Sequence, residues 1–241
     1  MKYLKALYGL WLYWRFNKKI NYSKLVKNKR VAIIGAANSA LNTNLGDYID
    51  EFDFVIRINK APRLIYEGTH ASDIGRKTDI LFHSFYENEK SGGGPLDFNL
   101  FDKLGIKYVI NPVATFSGSR VTYNFYKKYL LPKVTYSVQR DDYNKVVQGL
   151  NGNKPTIGFC ALMLTLLSDC KEVYVTGFTF FKTPFAKGYR DEVQQPEQVR
   201  KLINTEGHHD VDLEFENFKQ IYREYPQLKL DLALQDILRN G

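Results

Sequence analysis

Five short apolar runs, separated by longer mixed segments, constrain the fold of this chain most strongly. Each run has four or five residues, and two of them lead directly into a glycine; they are residues 31–34, 54–58, 79–82, 107–110 and 172–176. Short runs of this kind are typical of buried strands, and strands that alternate with helices build a mainly parallel sheet. We therefore expect an α/β fold with a single Rossmann-like, mainly parallel sheet flanked by helices.

The segments between these runs have different patterns. Residues 118–150 have a largely helical and polar pattern, and residues 159–167 are apolar on almost all sides, which predicts a buried helix. Residues 179–207 have no clear period and contain Gly188 and two prolines, so we expect a long loop or lid there. A helix is predicted from Val211 to Pro226, and a further helix or strand over residues 228–238.

The formal net charge of +8 is concentrated at the start of the chain. Residues 1–30 contain nine Lys or Arg and no Asp or Glu, so residues 31–241 together carry −1 (8 − 9). A basic segment attached to a nearly neutral remainder does not indicate a nucleic-acid-binding surface. The chain is therefore expected to consist of a basic amphipathic N-terminal arm over residues 1–30 and one domain over residues 31–241.

The first 20 residues combine Tyr and Trp with Lys and Arg. As a helix, residues 3–14 would span roughly 18 Å, which is too short for a hydrocarbon core of about 30 Å. Trp and Tyr favour the lipid headgroup region, and Lys and Arg favour anionic lipids. We expect residues 1–20 to anchor the protein peripherally to an anionic membrane surface; the alternative is a helix that packs on the domain or on a partner.

The two cysteines, Cys160 and Cys170, are not expected to pair with each other. Both lie in a segment that reads as helix, where ten residues at about 1.5 Å each separate them by roughly 15 Å. A disulfide needs Cα atoms within about 7 Å. Nothing else indicates an oxidising compartment, so we expect a cytoplasmic protein, associated peripherally with the inner face of the membrane.

Three motifs follow one another along the chain. The first covers residues 31–62, with a small polar loop after the first run and Arg57-Ile-Asn-Lys-Ala-Pro62 at its end. The second begins with Pro155-Thr-Ile-Gly158 and ends at residues 177–178, and the third is His209 followed five residues later by Glu214. In this order the chain resembles the sialyltransferases of glycosyltransferase family 29, with their large, small and very small sialylmotifs.

The resemblance implies a variant GT-A glycosyltransferase fold, with residues 31–241 as the catalytic domain. It also implies inverting transfer of a sugar acid from a CMP-sugar to an acceptor hydroxyl, without a metal. The donor could be CMP-sialic acid, another CMP-nonulosonic acid or CMP-Kdo, and the acceptor a glycan or glycolipid such as lipopolysaccharide or capsule. The CMP-sugar is a substrate, so no cofactor is expected, and no nucleic acid partner is expected either.

His209 is the expected catalytic base. Histidine, with an ordinary pKa of about 6.5, is neutral enough at pH 7 to accept a hydroxyl proton. Asp210 and Asp212 predict that a helix begins just after it, and the positive end of that helix disfavours imidazolium. Glu214 is expected to support the helix or orient a neighbour rather than to take part in the chemistry.

The resemblance and the loop patterns also suggest which residues contact the donor. Backbone amides around residues 156–158 would bind the phosphate at a helix N-terminus, and the Asn59 amide would read cytosine or ribose. The full expected set of donor-binding residues is Asn38, Ser39, Asn59, Thr156, Gly158, Gly177, Tyr189 and His208.

Two positions depart from the family pattern. Val31 stands where the family has a Cys bonded to the Cys of the small motif, so Cys170 lacks that partner, which fits a reducing compartment. Ala36 stands where the family has an Asn that touches the nucleotide, and Asn38 or Ser39 could replace it.

Other interpretations of the sequence stay open. Asp210-Val-Asp212 reads as the metal-binding D-x-D of other glycosyltransferases, but it lies inside the His motif rather than after a strand, so no metal site is assigned. A Rossmann-like oxidoreductase is one alternative, although the chain lacks the glycine fingerprint of that class. A non-catalytic, membrane-associated CMP-binding protein is another, suggested by Ala36.

Overall fold

The centre of the protein is one parallel sheet. The structure, a computed structural model, describes residues 2–67, 70–88, 92–193, 195–207 and 209–240. Within these ranges the sheet has eight strands in the order β1-β6-β5-β4-β3-β2-β7-β8, and every neighbouring pair is parallel. The strands are β1 Asn17–Ile20, β2 Arg30–Ile34, β3 Phe54–Ile58, β4 Ile80–Phe82, β5 Tyr108–Asn111, β6 Thr135–Val138, β7 Glu172–Thr176 and β8 Leu228–Leu230.

All five apolar runs form strands of this sheet, as β2, β3, β4, β5 and β7. Their bounds agree with the prediction to within one residue at each end, because each run is buried on both faces of the sheet. The predicted single, mainly parallel sheet flanked by helices is therefore confirmed.

The helices lie on both faces of the sheet. They are α1 Lys2–Phe16, α2 Tyr22–Val26, α3 Gly46–Asp50, α4 Pro62–Tyr66, α5 Ala71–Ile74, α6 Phe98–Lys103, α7 Phe116–Tyr129, α8 Arg140–Val147, α9 Ile157–Leu166, α10 Pro196–Gly207, α11 Val211–Ile221 and α12 Leu232–Asn240. The predicted buried helix is α9, which is buried from Phe159 to Leu166 and packs against the central strands. Cys160 and Cys170 are both buried and free, so the two are not paired, as predicted.

One prediction of secondary structure was incomplete and another was wrong. Residues 118–150 are largely helical, in α7 and α8, but they also contain strand β6, whose four residues are too few and too polar to stand out from the helical pattern on either side. Helix α10 lies inside the segment predicted to be a loop or lid. Val199, Leu202 and Ile203 have helical spacing, but the prolines and the glycine before them obscured it. The predicted element over residues 228–238 contains both a strand, β8, and a helix, α12.

The predicted arm over residues 1–30 is part of the domain. Strand β1 pairs with β6 at the edge of the sheet, and Tyr22 and Val26 are buried in the core. Helix α1 packs on α7 and buries Leu12 completely. The boundary expected between residues 30 and 31 therefore does not separate two bodies in the described structure. Sequence patterns miss this because Asn17-Lys-Lys-Ile20 is an edge strand with exposed lysines and no apolar alternation.

No helix in the described residues is long and apolar enough to cross a membrane. Helix α1, with 15 residues, is the longest of the helices given above. The peripheral anchor predicted for residues 1–20 stays a prediction.

Candidate active site

A cavity of about 530 Å³ opens at the carboxyl end of the sheet. Its walls come from the loops after β2, β3, β4, β5 and β7, and from the N-terminal turns of α7 and α9. In parallel sheets, ligands bind at this edge because the loops converge there and helix N-termini point towards it. The cavity is therefore the candidate active site.

The floor of the cavity is a close contact between two glycines at the ends of β2 and β7. Gly35 N donates to the Thr176 carbonyl at 2.8 Å, and Ala37 N donates to the Gly177 carbonyl at 3.0 Å. Gly177 has φ +70°, a conformation that glycine adopts without strain. A Cβ added to Gly35 would lie 2.1 Å from the Gly177 carbonyl oxygen, so only glycine fits there.

Gly35→Ala is expected to lower the free energy of unfolding by about 3 kcal/mol or more, because the clash is with backbone that cannot move without breaking the sheet. Urea unfolding measures this change. The control is Gly105→Ala, where φ is +68° and an added Cβ meets nothing within 4 Å. That variant should lose only the cost of the left-handed conformation, about 1 kcal/mol. Equal losses in the two variants would contradict this account of the floor.

His209 lies at the wall of the cavity with a defined tautomer. Its Nδ1 is 2.7 Å from the Lys154 carbonyl oxygen. A carbonyl can only accept, so Nδ1 carries the proton and donates it, and in the neutral tautomer with this bond the lone pair lies on Nε2. Asp210 caps α11 by accepting from Leu213 N at 2.9 Å, so the predicted helix start just after His209 is confirmed.

Thr156 begins α9 and faces the same cavity. Its hydroxyl caps the helix by accepting from Phe159 N at 3.1 Å. The amides of Ile157 and Gly158 belong to the first turn, where N–H groups have no acceptor within the helix. A Cβ on Gly158 would lie 3.1 Å from the Phe178 ring, so the backbone is closely packed here. The turn is suited to bind an anion.

Glu214 connects the two helices that carry Thr156 and His209. Its Oε1 accepts from Thr156 N at 2.5 Å, and its Oε2 lies 2.8 Å from Thr156 Oγ1. The side chain is 2% exposed, and this burial raises the pKa of the carboxyl to about 8, although the bonds to Thr156 oppose the shift. Glu214 therefore orients Thr156, as expected from the sequence.

Asn59 and Tyr189 join two loops at the wall of the cavity. Asn59 follows β3 with φ +53°, and its Oδ1 accepts from Ser84 N at 3.0 Å. Tyr189 is buried, hydrogen-bonds to the Asn59 side chain, and has a pKa raised to about 12 by that burial. Both residues line the cavity, as does Gly177.

Asn38 and Ser39, two of the expected donor-binding residues, are not among the residues that line the cavity. The chain leaves the cavity wall after Ala37 and forms a short 3-10 helix, Asn38–Ala40. Asn38 is exposed, and its backbone N–H donates to the Pro184 carbonyl at 3.0 Å, which holds the turn against the loop at residues 184–186. The Ser39 hydroxyl is buried without a hydrogen-bond partner among the described residues. His208 lies outside the described residues.

Two cations of the cavity wall were not predicted. Among the described residues that line the cavity, the Lys and Arg side chains are those of Lys154 and Arg190, and the carboxylic acid is that of Glu214. Arg190 is 5% exposed, and its Nε donates to Glu192 Oε1 at 3.1 Å. The one sequence signal for Arg190 was that it follows Tyr189, a predicted site residue. Position along the chain does not reveal which side chains face a cavity.

The aspartates after His209 serve structural roles. Asp210 caps α11, and Asp212 forms an ion pair with Arg200 of α10. In the part of the chain that the structure describes, no three His, Cys, Asp or Glu side chains come together to hold a metal ion.

These features define an α/β domain with a cavity at the carboxyl edge of a parallel sheet, where a helix N-terminus is suited to bind an anion. The chain belongs to glycosyltransferase family 29 (sialyltransferase), whose family model matches residues 13–91 and 100–225. The match begins within α1, nearer the N-terminus than the motifs alone indicated.

Known proteins of similar sequence include vertebrate sialyltransferases. The chain is 25% identical over 193 residues to CMP-N-acetylneuraminate-beta-galactosamide-alpha-2,3-sialyltransferase 1 of Gallus gallus, covering 78% of this chain and 54% of that protein. It is 26% identical over 215 residues to CMP-N-acetylneuraminate-beta-galactosamide-alpha-2,3-sialyltransferase 4 of Homo sapiens, covering 77% and 59%. The chain thus spans between half and two thirds of the length of these relatives.

The fold is similar to that of solved sialyltransferases. A crystal structure of a mammalian sialyltransferase superposes with a TM-score of 0.53 and 20% identity, over 86% of this chain and 70% of that one. A mammalian sialyltransferase in complex with Gal-beta-1-3GalNAc-ortho-nitrophenol superposes with a TM-score of 0.51 and 20% identity, over 87% and 71%. The expected GT-A-like sialyltransferase fold is confirmed.

Proposed function

We propose that this chain is a sialyltransferase that moves a sugar acid from a CMP-activated donor to a glycan hydroxyl. The observation that carries the proposal is the position of His209 and the N-terminus of α9 on the wall of one cavity in a member of family 29. N-acetylneuraminate is the first candidate for the donor sugar, because the related enzymes are named for it. CMP-Kdo and other CMP-nonulosonates are the alternatives.

His209 would act as the general base through Nε2. As the acceptor oxygen bonds to the anomeric carbon, its proton passes to Nε2, and the electrons of the breaking carbon–oxygen bond leave with the phosphate of CMP. A single displacement of this kind inverts the anomeric carbon. The bond from Nδ1 to the Lys154 carbonyl holds the ring in the tautomer that this role requires.

The leaving phosphate would be bound by the first turn of α9. The amides of Ile157 and Gly158 and the dipole of this ten-residue helix stabilise negative charge without changing protonation state. CMP-bound sugar acids carry two negative charges, on the phosphate and the carboxylate, and Lys154 and Arg190 in the cavity wall match them in number. Asn59 and Tyr189 are proposed contacts of ribose or cytosine. The proposal requires no metal cofactor.

CMP is expected to stabilise the protein selectively. At 100 times its dissociation constant, it should raise the free energy of unfolding by about 2.7 kcal/mol, which in a domain of this size raises Tm by about 5–10 °C. Differential scanning fluorimetry with CMP, UDP, GDP and NAD measures this shift. An equal or larger shift with NAD would favour the oxidoreductase alternative. CMP binding without transfer from CMP-N-acetylneuraminate or CMP-Kdo to any tested glycan would favour a non-catalytic binding protein.

A further inference from the structure

Helix α1 has an apolar face that nothing in the described structure covers. On one side the helix packs on α7, burying Leu12 and bringing Gly9 against the backbone of Lys127. On the other side, large apolar residues recur at spacings of three and four, so they form one stripe along the helix. These residues are Leu4 (71% exposed), Leu7 (64%), Trp11 (54%) and Trp14 (77%), with Tyr3, Tyr8 and Leu10 beside them.

The charges that α1 and β1 themselves carry have one sign. Residues 1–30 contain nine Lys or Arg and no Asp or Glu. Lys5, Arg15 and Lys18 are exposed, the last of these on the edge strand β1. An anionic lipid surface complements such a face, with apolar side chains inserted and cations at the headgroups. A second copy of this chain would instead bring two basic faces together, which like-charge repulsion disfavours.

The topology places one end of α1 on the side where the cavity opens. The C-terminus of α1 leads directly into the start of β1, so its N-terminal half points towards the carboxyl edge of the sheet. Helix α7 runs in the same direction: Tyr123 Oη donates to the Ala6 carbonyl at 3.3 Å, and Lys127 contacts Gly9. The first turns of α7, at Ser117 and Gly118, line the cavity.

We propose that the exposed face of α1 binds an anionic membrane surface, with the helix lying in the plane of the headgroups. Because one side of the helix packs on α7, its 15 residues would lie along the lipid surface over about 22 Å. The cavity at the N-terminal end of α1 would then lie near the lipid surface, within reach of an acceptor glycan carried on a lipid. This last step depends on the proposed sialyltransferase function; the membrane contact does not.

The two tryptophans of the chain report on this contact directly, because Trp11 and Trp14 both lie on the exposed face. The full chain is mixed with phosphatidylcholine vesicles that contain or lack 30% phosphatidylserine. With phosphatidylserine, tryptophan emission should shift to the blue and be quenched by brominated lipids, and 0.5 M salt should weaken the binding. Unchanged emission with these vesicles would overturn the proposal.

Variants separate the apolar and the charged contributions. Leu4→Glu with Leu7→Glu should weaken vesicle binding about 100-fold, and Lys5→Glu with Lys18→Glu about 10-fold or more. The matched control is Leu232→Glu on α12, a leucine 78% exposed, which should bind as the wild type does. Undiminished binding by the Leu4/Leu7 variant would overturn the proposal. So would concentration-dependent self-association that shifts the emission without lipid, because a second copy would then cover the face.

Activity assays keep the two proposals distinguishable. The Leu4/Leu7 variant should retain transfer to a water-soluble acceptor within about twofold, because both side chains are exposed and outside the cavity lining. It should lose most transfer to an acceptor glycolipid in anionic vesicles. Equal activity on both acceptors would overturn the link between docking and acceptor access. If neither the wild type nor any variant transfers sugar, the proposed function fails. The fluorescence result still decides whether the protein contacts the membrane.

Discussion

His209→Ala is expected to lower kcat by about 10²–10⁴-fold, the range typical of general bases. The Nε2 lone pair is the group assigned to accept the acceptor proton, and alanine offers none. CMP affinity should change less than about threefold, because the phosphate is assigned to the first turn of α9 rather than to the imidazole. Steady-state kinetics with a soluble acceptor, together with CMP titration by calorimetry, measure both quantities.

His70→Ala is the matched control for that experiment. His70 Nε2 is also hydrogen-bonded to a backbone carbonyl, that of Lys187 at 3.3 Å, but the residue does not line the cavity. It should keep kcat within about twofold. Near-native turnover in His209→Ala would remove His209 from the mechanism, and a parallel loss of CMP affinity would assign it to binding instead.

Glu214→Gln is expected to change how stability depends on pH. The carboxyl has a pKa of about 8 in the folded protein against an ordinary value of 4.5, because burial disfavours the charged form. Between these values the folded protein binds a proton that the unfolded chain has lost. The free energy of unfolding should therefore fall as pH rises from about 5 to 8, by an amount on the order of 3–5 kcal/mol, and level off above that range.

Glutamine carries no proton that titrates in this range. In Glu214→Gln the free energy of unfolding should therefore show little of this decrease between pH 5 and pH 8. Urea unfolding at pH 5.5 and 8.5 measures the difference. Glu216→Gln, an exposed position on the same helix, should behave as the wild type does. Burial lowers the pKa of His83 to about 4, so below pH 6.5 this residue makes the free energy of unfolding rise with pH. His83 is present in the wild type and in both variants, so its contribution cancels when they are compared. A pH profile of the Gln variant that matches the wild type would show that Glu214 is ionised when folded.

The elements predicted correctly from sequence are those whose burial is nearly complete. Strands β2 and β3 and helix α9 are apolar over their whole length, so their patterns do not depend on which neighbour they meet. Strand β1 and helix α10 are half-exposed, and their polar faces hide the period. Local pattern therefore predicts the centre of this sheet better than its edges.

The same distinction applies to the site. The positions of Thr156 and His209 at helix starts were predictable because local sequence determines where a helix begins. The place of Asn38 outside the cavity lining was not predictable, because the direction of its loop is set by a contact with Pro184, nearly 150 residues later in the chain. Arg190 was missed for a related reason, since only the folded loop brings its side chain to the cavity wall. Tertiary contacts of this kind leave no local signature.

The parallel pairing of β1 with β6 places the proposed membrane-binding face and an edge strand of the central sheet in one stretch of chain. Cutting the protein after residue 20 would remove more than the proposed membrane contact. It would leave the backbone donors and acceptors along one side of β6 without partners, and it would uncover the aromatic ring of Tyr126, which packs against Tyr13 of α1. An open strand edge beside bare aromatic surface invites aggregation. Point substitutions on the outer side of α1 are therefore the variants that test the proposed lipid contact without disrupting the fold.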